Sequence, residues 1–172
     1  MVPRYFFLTK GFGVHKNYLQ AFELALRKAG ISKFNLVSVS SILPPNCKKI
    51  SKKKGLKLLK PGQIVFVVLS KNATQEPNRL ISASIACAIP KQKDQYGYIA
   101  EYHSFGENQK KVKEHVENLA ASMLASTLGI PFDPKSPLNS RDIVYTTNIT
   151  QTARGNKDGL WTVVVASAVF II

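Results

Sequence analysis

The sequence predicts a mixed α/β protein in which stacked β-sheets form the inner layers and helices lie outside them. Three observations carry this. Only two long segments, 16–29 and 108–128, place apolar residues at helical spacing. Seven others alternate with period two or run apolar over strand-like lengths. Two helices are too few to cover both faces of a doubly wound sheet with that many strands, whereas a layered sandwich accommodates them. At 172 residues, with 45% hydrophobic, the chain reads as one domain spanning 1–172 that can bury a sizeable core.

Residues 4–9 read as the first strand, broken by Gly11-Phe12-Gly13. In the helix over 16–29, Leu19, Phe22, Leu26 and Ala29 share one face, and Gly30 stops it. Glu23 borders that face and is placed to pair with Arg27 four residues on. A second strand covers 34–40. A lysine-rich stretch follows, with one helical turn around 56–59, then a buried strand over 63–69 and a polar loop over 71–78. Residues 80–89 alternate between Ile81, Ala83, Ile85, Cys87 and Ile89 on one face and Ser82, Ser84, Ala86 and Ala88 on the other. A face so uniformly small suits close packing against a sheet, a subunit or a ligand.

The strand over 97–105 puts Glu101 among apolar neighbours. It is either a solvent-facing residue or a buried carboxyl suited to proton transfer. In the helix over 108–128, Val112, Val116, Leu119, Ala120, Met123 and Thr127 recur at helical spacing, with His115 toward solvent. A loop with Pro131, Pro134 and Pro137 leads to strands at 142–153 and 160–171, joined as a hairpin.

Much ordinary chemistry has no foothold. There is no P-loop, GxGxxG before a helix, HExxH, CxxC or GxSxG, and His15, His103 and His115 are scattered. No metal site is expected. No apolar run approaches the ~18 residues of a membrane helix, and the N-terminal residues lack a signal-peptide layout. Cys47 and Cys87 lack metal-ligand spacing and read as free thiols in a reducing, cytoplasmic compartment. The net charge of +14 owes half its excess to seven lysines between 48 and 60. That run lacks interleaved aromatics, and the chain has few arginines and no nucleic-acid-binding signature, so neither a membrane nor a nucleic-acid partner is expected.

The remaining feature is Ser40-Ser41, which ends an apolar run and precedes Ile42-Leu43-Pro44-Pro45. The proline pair halts regular structure, so the serines sit where a strand yields to a turn. Together with Asn35-Leu36, Ile81–Pro90 and Tyr96-Gly-Tyr-Ile-Ala-Glu-Tyr102, this stretch resembles the pyruvoyl-dependent arginine decarboxylase family. The N-terminal Phe7–His15, Leu56–Phe66, Asn148-Ile-Thr-Gln151 and Gly159-Leu-Trp161 extend the resemblance over nearly the whole chain.

That resemblance implies a four-layer αββα sandwich of the pyruvoyl-dependent decarboxylase type. It implies self-cleavage between Ser40 and Ser41, giving a short chain 1–40 and a longer chain 41–172 that carries a covalent pyruvoyl group derived from Ser41, with no pyridoxal phosphate. A strained turn at the serines would favour the cut. The pyruvoyl ketone would form a Schiff base with L-arginine, and decarboxylation would yield agmatine and CO2. The same resemblance implies Glu101 as a buried proton donor and Asn35 as an orienting group. It implies Glu23 as the carboxylate facing the guanidinium, with Leu19, Leu26, Ser32 and Phe34 lining the pocket. Assembly as a homotrimer or a pair of trimers is implied, with sites between subunits. Two other readings are the same chemistry on lysine or ornithine, and an unprocessed basic nucleic-acid-binding module.

Overall fold

The computed structural model describes residues 1–134 and 143–172, and side chains from 146 onward in the second part. The elements in chain order are β1 (Tyr5–His15), α1 (Tyr18–Ala29), β2 (Asn35–Ser38), β3 (Ile42–Leu43), β4 (Lys48–Lys49), α2 (Lys52–Lys57), β5 (Ile64–Thr74), β6 (Leu80–Pro90), β7 (Gly97–Phe105), α3 (Gln109–Leu128), β8 (Ile143–Arg154) and β9 (Trp161–Ile171). Two sheets stack face to face, one ordered β2-β5-β9-β1-β4 and the other β3-β7-β6-β8. Helices α1 and α2 cover the outside of the first, and α3 covers the outside of the second. The four layers are αββα, as the sequence predicts. Asp142 of the expected strand and Pro137 of the proline-rich loop lie outside the described residues.

Gly11-Phe12-Gly13 does not break the first strand. β1 runs through it and pairs antiparallel with β9 over eleven positions, from Tyr5↔Ile171 to His15↔Trp161. The glycines answer a packing demand instead. A Cβ at Gly13 would lie 2.2 Å from the Ala21 carbonyl oxygen, and one at Gly11 would lie 2.2 Å from that of Ala25. Helix and strand thus approach backbone to backbone, and only alanines fit between them. This shifts the expected helix face by part of a turn: Ala21, Ala25 and Ala29 are fully buried, Phe22 and Leu26 pack beside them as expected, and Leu19 is 69% exposed. The end of α1 is tied down by Thr9, whose hydroxyl donates to the Ala29 carbonyl at 2.5 Å.

Of the loop expected over 71–78, residues 71–74 continue β5 and the loop itself is confined to 75–79. Ser70 and Asn72 face the opposing sheet and donate to the Tyr102 and Ser104 carbonyls at 2.7 and 2.9 Å. Hydrogen bonds across the sandwich let polar residues occupy its core. The small face of β6 is covered by the chain's own α3, where Ala86 and Ala88 meet Val116, Ala120, Ala121 and Leu124. It is therefore not a subunit contact. Within the lysine-rich stretch, the short helix begins at Lys52 and not near Leu56. Ser51 caps it, and Gly55 sits against the Phe7 ring where a Cβ would lie 2.2 Å from Phe7 Cδ1.

Replacing Gly13 with alanine forces a clash with helix backbone that no rotamer relieves. Gly13→Ala should cost about 2–3 kcal/mol and lower the thermal and denaturant midpoints together. An unchanged midpoint would contradict the close approach of α1.

Candidate active site

The two serines lie where the chain leaves one sheet for the other. Val39 still belongs to the first sheet, its N–H donating to the Val67 carbonyl at 2.9 Å. Two residues later the Ser41 carbonyl accepts from the Ile99 N–H of β7 at 2.7 Å. Strand β3 then continues the ladder, with Ile42 opposite Tyr98 and Leu43 opposite Gly97. The Ser40–Ser41 peptide is therefore the crossing itself, held on both sides. Ser40 is exposed and Ser41 half-buried. Beside Ser40 a largely apolar depression of about 320 Å³ opens between the sheet ends, bordered by Val39, Ile42, Phe66 and Phe170.

The expected strain is not at the serines. Among the described residues, the only non-glycine residues with positive φ are Asn46 and Asn78, and no peptide bond is cis. Asn46, at φ 60°, follows Pro45 in a turn closed by the Cys47 N–H donating to the Pro44 carbonyl at 3.2 Å. Proline then asparagine at the central positions is the pattern of a type II turn. The Pro-Pro pair thus shapes the exit from β3 and leaves the crossing in ordinary backbone geometry.

Glu101 sits on β7 two residues beyond Ile99, whose N–H anchors Ser41. Expected as a buried acid, it is exposed in this chain. The reason is the short β3: its ladder with β7 covers only Ile42 and Leu43, so the edge of β7 at Glu101 is open. Tyr102, next to it, turns to the opposite face. Its hydroxyl donates to Glu107 at 2.9 Å, and its ring lies 4.2 Å from that of His115. The hydrogen bond to Glu107, aided by burial, raises the Tyr102 phenol above its ordinary range. His115 is exposed, as its place on the helix suggests.

The remaining expected site residues stand elsewhere. Asn35 is at the start of β2, six residues before Ser41, and its amide donates to the Gly62 carbonyl at 2.7 Å. Glu23 is on α1, outside the first sheet, and holds Arg27 bidentately: Nε donates to Oε1 at 3.1 Å and a terminal guanidinium nitrogen to Oε2 at 2.8 Å. Phe34 is buried in the core between α1 and the sheet, Leu26 packs against that core, Ser32 is half-buried, and Leu19 is exposed. No residue of α1 borders the depression beside Ser40. Ser40, Ser41 and Glu101 are brought together on one edge; the α1 set is not brought to them within one chain. Sequence reasoning missed the Ile99 N–H, because a backbone donor has no side-chain signature. It also missed Phe66 and Phe170, which read as plain core.

Other nucleophiles and metals gain nothing from the fold. Burial pushes the Cys47 and Cys87 thiols up to about 12, so both stay protonated and weakly nucleophilic. Among the described residues, no three His, Cys, Asp or Glu side chains cluster to hold a metal ion, and no helix is long and apolar enough to cross a membrane.

Comparison with known proteins agrees with this arrangement. The family model described as pyruvoyl-dependent arginine decarboxylase matches residues 5–172. Pyruvoyl-dependent arginine decarboxylase 2 of Methanosarcina acetivorans is 54% identical, covering 99% of this chain and 98% of its own. The pyruvoyl-dependent arginine decarboxylase of Methanococcoides burtonii is 52% identical over the whole of both chains. A probable pyruvoyl-dependent arginine decarboxylase of Chlorobium limicola is 53% identical over 99% of this chain and 98% of its own. A two-sheet αββα sandwich, a serine pair at the crossing between its sheets and full-length identity above one half lead to one conclusion: the chain belongs to the pyruvoyl-dependent arginine decarboxylase family.

Proposed function

We propose that this chain cuts itself between Ser40 and Ser41 and then decarboxylates L-arginine to agmatine and CO2. The observation that carries the reading is the accessible serine pair at the sheet crossing, with Ser41 anchored on the strand that bears Glu101. The Ser41 hydroxyl attacks the Ser40 carbonyl carbon, so the C–N bond breaks and an ester to Ser41 Oγ forms. Loss of the Ser41 Cα proton and of the Cβ–Oγ bond releases Ser40 as a carboxylate. The dehydroalanine left behind tautomerises, and water replaces its nitrogen, which departs as ammonia. A hydroxyl is required because the same oxygen is nucleophile first and leaving group second.

The site fits the product. Ser41 stays bonded to Ile99 through its own carbonyl after the cut, so β3 keeps its place. The depression beside Ser40 leaves room where the new end withdraws. The pyruvoyl group would supply a ketone that takes the substrate amine and an adjacent amide carbonyl that accepts the electron pair left behind when CO2 departs. Glu101 delivers a proton to the carbon that loses CO2. That work calls for a desolvated carboxyl, and a second copy covering this edge would provide it. Val37, Val39 and Ile42, each about 40% exposed around the serines, support such a covering. The same copy would bring its α1, and with it Glu23, Leu19, Leu26 and Ser32, to the site. We infer a homotrimer of cleaved protomers, or a pair of trimers. Asn35, held at the Gly62 turn, steadies the strand that leads to Ser40.

Glu23 already grips a guanidinium in a two-point fork, that of Arg27. An ammonium cannot fill both positions so well, which favours arginine over lysine or ornithine. It also makes Arg27 a competitor of the substrate. The two buried free thiols support a reducing compartment.

Wild-type protein should run on a denaturing gel as fragments 1–40 and 41–172 that co-elute under native conditions, and Ser41→Ala as one uncut, inactive chain. Uncut wild-type protein would end the proposal. Glu101→Gln should still be cut but lose ~10²–10⁴-fold in kcat. Glu23→Gln should raise KM for arginine by ~10-fold or more at similar kcat. Arg27→Ala should lower KM by about twofold, the yield of freeing an exposed i,i+4 pair. A KM that rises in Arg27→Ala would remove Arg27 as competitor.

A further inference from the structure

A crease on the far side of β3 from the serines has no part in the chemistry above. It lies between the Pro44–Cys47 turn and the loop joining β6 to β7, encloses about 170 Å³, and has Lys48, Lys91 and Lys93 around its rim. Its floor is apolar, made by Leu43, Cys47, Ile89 and Pro90. Asn46 and Lys48 also border an adjoining depression of about 540 Å³ that adds Arg4. Neither hollow has an aspartate or glutamate among its described lining residues, and Asp94, beside Lys93 in the chain, borders neither. The described residues contain three ion pairs, Arg27–Glu23, Arg79–Glu76 and Lys110–Glu114, and none involves these four cations.

We propose that this crease binds a small phosphate-bearing molecule of charge −2 or more. Like charges gathered on one concave wall repel each other, and a low-dielectric floor strengthens the field they share. Three ammonium groups on flexible stems suit a tetrahedral phosphate approached from several sides, whereas a planar carboxylate is better matched by a guanidinium fork. The wall is braced. The Lys48 N–H donates to the Arg4 carbonyl at 3.0 Å, and Asn46 is held at φ 60° where the two hollows meet. The amides of Asn46, Gln92 and Gln95 add neutral donors around the rim. The phosphate sits among the lysines, a small organic body rests on the apolar floor, and a second phosphate reaches Arg4. Leu43 and Gly97, paired across β3 and β7, both border the crease, so the ligand rests against the strand that follows Ser41.

The test is calorimetric titration of the assembled protein with pyrophosphate and, separately, ATP, at fixed ionic strength with chloride as the competing anion. Saturable binding near one per chain is expected. Lys91→Gln/Lys93→Gln should weaken it on the order of tenfold or more. Lys57→Gln/Lys60→Gln removes the same charge from residues that border neither hollow and should leave it unchanged. Equal weakening in both double variants would reduce the effect to net charge and overturn the site, as would the absence of saturable binding. Retention of a single-stranded oligonucleotide that is lost in Lys57→Gln/Lys60→Gln, with pyrophosphate unbound, would assign the basic surface to nucleic acid and also overturn it.

Discussion

Two backbone hydrogen bonds flank the Ser40–Ser41 peptide, on which the proposed chemistry depends. Val39 N–H to Val67 ends the hold of the first sheet, and Ile99 N–H to Ser41 begins that of the second. From Val39 to Ser41 the chain takes only two residue steps, ~7 Å of reach, to leave one sheet and join the other. The crossing therefore has little slack without needing a forbidden backbone conformation. For the proposed cut, rigid positioning from both sides would take the place of local strain: the Ser41 hydroxyl and the Ser40 carbonyl belong to neighbouring residues whose flanks are both held.

That clamp depends on the rest of the sandwich. β2 and β3 are short edge strands that hold station only because β5 and β7 beside them are long and pinned together across the core by Ser70 and Asn72. Helix α1, drawn onto β1 by Gly11 and Gly13, seals the outer face over Val163 and Val165. The described buried side-chain nitrogens and oxygens all have hydrogen-bond partners, so the polar residues of the inner seam add register without the cost of unpaired groups.

Much of this was legible in the sequence, for identifiable reasons. Period two in residues 80–89 and 97–105 and helical spacing in 108–128 are local signals, and the elements formed there. The failures came where a partner distant in sequence decides the outcome. Gly11 and Gly13 look like a strand break until a helix backbone is set against them. Residues 71–74 look like loop until β9 pairs with them and Ser104 offers Asn72 a carbonyl. The small face of β6 looks like an interface until α3 returns over it. At the site, the serine pair and its Pro-Pro exit were readable. The exposure of Glu101 was not, because it follows from how few residues β3 contributes. Lys48 and Lys91 share a crease although 43 positions separate them, and no local pattern announces that.

The place of β1 has a consequence for the order of events in the molecule's life. The proposed cut would leave β1 in the short chain 1–40, yet β1 lies inside its sheet, bonded to β9 along its whole length and to β4 at one end. Such a strand is laid down while the polypeptide is continuous, since loop closure within one chain is cheap. In the proposed cut the release of Ser40 would make the same strand part of a separate molecule. Unfolding would then become a dissociation, and recovery would require two fragments to meet, at a rate that falls with dilution. Maturation by this route would trade reversible folding for a cofactor, once per molecule.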